Sequence, residues 1–224
     1  MKQRLVGLLL PLCIGLALAS PATSRAAPAQ ADITKLVAEA ATYQAGQSRE
    51  PFRRIEELVR QSSAALRKQL EAGLVQLLAS SSTFEARRFA CKQLGIIGSK
   101  SALPALAELL KSDETAGIAC LALTTYPPGK ADEILRAALP SAPAAARIQI
   151  INTLGDRQDA NAVKLLTRLA ADADSSIARA ALASLGKIGD QAAWRAIEAL
   201  PRDSNSVLQP ALTEATLQIG RAHV

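Results

Sequence analysis

One pattern recurs from residue 83 onward in this 224-residue chain, and it narrows the possible folds more than any other feature. Residues 85–98 (EARRFACKQLGIIG), 114–127 (ETAGIACLALTTYP), 145–158 (AARIQIINTLGDRQ) and 176–189 (SIARAALASLGKIG) align in register. Their anchoring leucines, Leu94, Leu123, Leu154 and Leu185, stand 29, 31 and 31 residues apart. A period near thirty is that of a unit of two helices and a turn. Counting back from each leucine, apolar or small residues tend to fall at minus 8, minus 5, minus 4 and minus 1, which is one stripe of an amphipathic helix. In the fourth copy they are Ile177, Ala180, Ala181 and Ser184, followed by Ile188. The minus 3 position is also apolar throughout (Cys91, Cys120, Ile151, Leu182), widening the stripe enough for burial between two neighbouring helices.

Start and stop signals fit that reading. Ser82-Thr83-Phe84-Glu85 reads as a capping box, and Asp113 and Asp174 stand where N-cap aspartates would accept backbone N–H groups. Gly98, Gly155 and Gly189 are expected to close three of the helices, and Pro127, Pro128 and Gly129 the remaining one. Shorter apolar helices are predicted between them, over 102–110, 131–139, 160–170 and 192–200. Composition agrees: hydrophobic residues make up 49% of the chain but aromatics only 3%, which suits close contacts between helices rather than a sandwich or barrel.

The first residues set the expected compartment. Lys2 and Arg4 precede an apolar run of about fifteen residues broken by Pro11. Ala17-Leu18-Ala19 and Ser24-Arg25-Ala26 then offer small residues at cleavage spacing. The run is shorter than the ~20 residues of a spanning helix, so 1–26 reads as a signal peptide and the mature chain as periplasmic or secreted, with no membrane span. Removing Lys2, Arg4 and Arg25 lowers the formal net charge from +6 to +3. No cluster of basic residues with interleaved aromatics remains to suggest nucleic acid as a partner.

Between this leader and the repeats, apolar residues at helical spacing predict a helical cap over 27–80: Ile33, Leu36, Val37 and Ala40, then Phe52, Ile55, Leu58 and Val59, then Leu66, Leu70, Leu74, Leu77 and Leu78. The array is expected over 81–220, with Pro210 interrupting its last helix, and a tail over 221–224. Ser184-Leu185-Gly186-Lys187-Ile188-Gly189, behind an Ala-rich helix opened by an aspartate, resembles the HEAT-like repeat of phycobilisome-lyase relatives and many bacterial scaffolds, a likeness covering roughly 69–220. The resemblance implies an all-α, right-handed solenoid of about five two-helix repeats. In such repeats the helix with the arginine-bearing pattern lines the concave face, which here points to the helices of Arg87, Arg88, Arg147 and Arg179. The second copy departs from the pattern, with Ala116 and Gly117 at those positions.

Catalytic and metal-binding patterns are missing from the sequence. The one histidine is His223, beside the C-terminus, and no CxxC, CxxCH or HExxH occurs. No catalytic residue, cofactor or metal is therefore expected. The carboxylate pairs Glu56-Glu57, Asp132-Glu133 and Asp172 with Asp174 read as solvated or helix-end acids. Cys91 and Cys120 occupy equivalent positions in adjacent repeats. Helix axes ~8–10 Å apart would hold them beyond the ~4.4–6.8 Å Cα separation of a disulfide, so buried free thiols are expected. Trp194, Tyr43 and Tyr126 read as core or cap residues. What remains is an exported, non-catalytic scaffold holding a protein or peptide partner through Arg87, Lys92, Arg147, Asn152 and Arg179 on the helix face off the apolar stripe. Reversing Arg87 and Arg147 is then expected to leave stability nearly unchanged. The likeness to bilin-lyase repeats also carries an alternative, an accessory subunit of a secreted enzyme or a lyase-like component.

Overall fold

The computed structural model describes residues 30–79, 81–200 and 209–222, so the leader, both cleavage motifs and His223 lie outside the described residues. Among the described residues there are twelve α-helices, two single-turn 3-10 helices and no strand. They are α1 (Gln30–Ala41), α2 (Glu50–Arg60), α3 (Ala64–Gln76), α4 (Phe84–Ile97), α5 (Leu103–Leu109), α6 (Ala116–Thr124), α7 (Lys130–Ala138), α8 (Ala144–Asp156), α9 (Val163–Leu169), α10 (Ser175–Ile188), α11 (Gln191–Glu198) and α12 (Gln209–Ala222). The tail expected over 221–224 is thus helical in its first two residues.

The helices alternate between two layers, as expected of a helical solenoid. Successive even-numbered helices α4, α6, α8, α10 and α12 pack side by side, while α5 lies against α7 and α9 against α11 in the other layer. The first helices continue this alternation, with α1 against α3 and α2 against α4. All four anchoring leucines are fully buried, as are Cys91 and Ile151, and Leu182 is nearly so. Helices α4, α6, α8 and α10 are closed in from both sides by neighbours of their own layer, which is why their apolar stripe had to be so wide.

Close approach within that layer depends on small residues. A Cβ on Gly155 would lie 2.7 Å from the Cβ and Oγ of Ser184, and one on Gly95 would lie 2.8 Å from Oγ1 of Thr125. Hydroxyls use the same proximity: Ser184 Oγ donates to the Ile151 carbonyl at 2.9 Å, and Thr125 Oγ1 to the Gly95 carbonyl at 2.6 Å.

Several helix ends differ from the sequence expectation. The cap of α4 is Thr83, whose hydroxyl accepts from Ala86 N–H, so Glu85 falls one place early for a capping box and pairs with Arg88 instead. Asp174 caps α10 as expected, but Asp113 does not cap α6. Its Oδ1 accepts the Ala146 N–H of α8 at 2.7 Å, reaching into the next repeat. Gly189 closes α10 in the left-handed conformation, and Gly98 ends α4 in an extended one. Gly155 lies inside α8, where packing against α10 rather than chain reversal requires a glycine; the positive φ after that helix belongs to Gln158. Pro210 sits in the first turn of α12, where its missing N–H leaves no helical bond unmade, so it begins that helix rather than interrupting it.

Candidate functional site

The five residues singled out in the sequence all lie on the even layer but separate into two groups. Arg87 and Arg147 are turned inward, with side chains only 14% and 27% exposed. Arg87 Nη2 donates to Glu114 Oε1 at 3.1 Å and Arg147 Nη2 to Asp172 Oδ2 at 3.4 Å, each joining one repeat to the next. The buried Nε of each has no partner, and the Arg87 guanidinium lies 6.0 Å from the centre of the Phe84 ring. They occupy the minus 7 position, at the edge of the buried stripe. The expectation that their reversal would spare stability presumes exposed charges, which these two are not.

Lys92 and Arg179 are exposed and form no ion pair among the described residues, and Asn152 is half-buried beside them in the layer. The helices that carry them run parallel. Near their N-termini Arg87 reaches the segment before α6 and Arg147 the segment before α10, while at the C-terminal ends Gly95 meets Thr125 and Lys187 pairs with Asp156. The outward positions, minus 6, minus 2 and plus 2, therefore form rows across the layer.

Those rows hold residues that the sequence reading assigned to no surface. Ile96 is 65% and Leu121 58% exposed; with Phe84 and Leu217 they are the large hydrophobics exposed among the described residues, and all four belong to even helices. Leu121 shares the minus 2 position with Lys92 and Asn152, so strict use of the register would have found it. It was hidden in α6, whose residues (AGIACLALT) show almost no amphipathic contrast. No residue of α6 is charged.

A second feature with little sequence signal is Arg157, whose side chain is only 4% exposed. From just beyond the end of α8 its guanidinium donates to the carbonyls of Leu123 (2.5 Å), Tyr126 (2.9 Å), Thr124 (3.1 Å) and Pro127 (3.3 Å), and its Nε pairs with Asp132. It thereby satisfies the C-terminal carbonyls of α6 from the following repeat. Asp132, read from sequence as solvated, is buried. Burial alone would raise its carboxyl, but the Arg157 hydrogen bond, the Gly129 N–H and the charges of Arg157 and Arg136 outweigh this and hold it below the ordinary value. Of the other carboxylates considered, Asp172 is taken up by Arg147 and the Asp174 N–H.

The remaining candidates serve the interior. Cys91 and Cys120 are free and buried. Burial raises Cys91 to about 12, partly offset by Arg87, and Cys120 to about 11, partly offset by a hydrogen bond with Thr153. Tyr126 is buried and pushed up to about 12 by burial and then by Glu71 and Cys91. Tyr43 tilts against Phe52, which stacks on Phe89 with centroids 4.2 Å apart. Half-buried Trp194 lines an apolar concavity of about 440 Å³ with Gln191, Ile219 and Gly220. No group of three or more His, Cys, Asp or Glu side chains among the described residues is placed to hold a metal. No described helix is long and apolar enough to cross a membrane. The site offers a contact surface, with aliphatic and cationic side chains carried on rigid helices.

No curated protein matches the chain. Residues 131–216, from α7 into α12, match the family model described as HEAT repeats, which together with the stacked helical layers supports reading the chain as a HEAT-like repeat protein.

Proposed function

We propose that this chain is an exported, non-catalytic interaction scaffold that holds a protein partner against the exposed face of its even helices. In this reading that face lines the groove of a right-handed superhelix of about five repeats. HEAT repeats commonly serve as protein-interaction scaffolds. The observation that carries the choice of face is the placement of Ile96 and Leu121, both exposed at outward positions of neighbouring even helices. Apolar residues gathered on one side of a folded protein mark surfaces that a partner covers. Lys92, Asn152 and Arg179 lie on the same layer and supply polar contacts, whereas Arg87 and Arg147 support the face from behind.

The test is affinity capture from periplasmic extract with the wild-type chain and with Ile96→Asp. Both should remain folded, because Ile96 is exposed, and the variant should lose the protein that the wild type retains. Equal capture by the two would refute the assignment of this face. Export rests on residues 1–26 and is tested separately: N-terminal sequencing should begin near Ala27, or near Ser20 if the earlier site is used. Recovery of the chain with Met1 intact from the cytoplasm would count against it.

A further inference from the structure

The outward residues of the even layer are not evenly mixed. At its centre lies an uncharged band, with Gly117, Leu121 and Thr124 exposed on α6 and Gln149 exposed on α8 beside half-buried Asn152. A Cβ added to Gly117 would meet no atom within 4 Å, so the band is open above α6. Ile96 extends its apolar character onto α4. On one side the band is bounded by Lys92 and on the other by Arg179, both without an ion pair among the described residues. Four acids of this layer are already paired, Glu85 with Arg88, Glu114 with Arg87, Asp172 with Arg147 and Asp156 with Lys187, and Asp174 caps α10 through the Ser176 N–H. An uncharged band, apolar at Leu121 and Ile96, with an unpaired cation on each side is left.

Building on the proposed scaffold role, we infer that this band takes an extended peptide segment with an aliphatic centre and an acidic residue toward each end. The aliphatic side chain covers Leu121 and Ile96, and the two carboxylates meet Lys92 and Arg179. Charge complementarity selects acids over bases, because bound cations would face two unpaired positive charges. Geometry sets the spacing. The residue after one anchoring leucine lies against the residue before the next, as Gly95 does with Ala122 and Gly155 with Ser184. Each such step shifts a helix along its axis and brings Arg179, at minus 6 on α10, toward the level of Lys92, at minus 2 on α4. Three helix-to-helix steps of ~8–10 Å separate α4 from α10, roughly 24–30 Å, which an extended chain rising ~3.3 Å per residue covers in about eight residues.

The test is selection of a displayed library of random dodecapeptides on the immobilised full chain, counter-selected on the Leu121→Asp chain. Enriched peptides should carry an aliphatic centre flanked by Asp or Glu about eight residues apart. A synthetic peptide of that kind should bind Lys92→Glu and Arg179→Glu at least tenfold more weakly. Replacing the corresponding peptide acid by Lys should restore binding to each variant, a swap that a folding defect would not allow. Lys164→Glu on α9, in the other layer, should bind like wild type. Enrichment of peptides without acids, no enrichment over Leu121→Asp, or failure of the charge swap would overturn the inference. If such a failure is found while Ile96→Asp still abolishes capture of the natural partner, the face stands and only the partner chemistry falls. If Ile96→Asp leaves capture intact, the face itself is wrong.

Discussion

At the residue scale, what separates a structural arginine from a binding one is where its helix turns it. Arg157 and Arg179 look alike in sequence, yet one is buried among four carbonyls and a carboxylate while the other lies in solvent. Removing one partner of a buried pair strands the other charge, so Arg157→Met should cost ~3–5 kcal/mol, measured by urea unfolding. Arg179→Ala, at an exposed site, should stay within ~0.5 kcal/mol of wild type. Acidity should distinguish the cause. The Asp132 carboxyl is held below its ordinary value in the folded protein, so its contribution is present above the unfolded-state value of ~4 and lost as pH falls through the lower folded value. The stability gap between wild type and Arg157→Met should therefore narrow below about pH 4; a gap that stays constant down to pH 2 would rule out this ion pair as its source. The buried thiols make a separate prediction. Raised to about 12 and 11, Cys91 and Cys120 should resist maleimide in the native protein and react readily in denaturant, as read by peptide mass spectrometry. Rapid native labelling would contradict their burial.

At the element scale, two glycines inside helices of the same layer should respond oppositely to alanine. Gly155 touches Ser184 on the neighbouring helix, and a methyl there would force α8 and α10 apart. Gly155→Ala should destabilise by ~1–3 kcal/mol, as overpacked substitutions do. Gly117 has open space around its missing side chain, so Gly117→Ala should gain up to ~0.5–1 kcal/mol from helix propensity. Thermal melts of the two variants should shift in opposite directions; a loss at both would mean that α6 is packed differently. The same logic explains why the expected stop at Gly155 failed. A glycine near a helix end is compatible with chain reversal or with close packing, and the neighbouring helix that decides between them is 29 residues away.

At the scale of the whole molecule, polar contacts between repeats form a chain of neighbours: Glu71 to Ser99, Arg87 to Glu114, Asp113 to Ala146, Arg157 to the end of α6, and Gln158 to Lys187. Each spans about one period, the interaction pattern of a quasi-one-dimensional array. Leu154→Ala, at a fully buried anchor, should cost ~2–5 kcal/mol and speed hydrogen exchange most in α8 and the helices flanking it. Uniform acceleration along the whole chain would indicate a single cooperative body instead. Reversing both Arg87 and Arg147 to Glu should lower stability by about 1–3 kcal/mol, because each change sets an acid against an acid at a partly buried junction. The spacing of the anchoring leucines and the stripe behind them determined the helical class, the two-helix period and most of the core, since periodic burial is a local property written in every copy. Which cations remain free was decided only by the tertiary structure. Asp113, Asp132, Glu114 and Asp172 choose partners 25 to 33 residues away, and pairing across repeats depends on the offset between stacked helices, which no single repeat encodes.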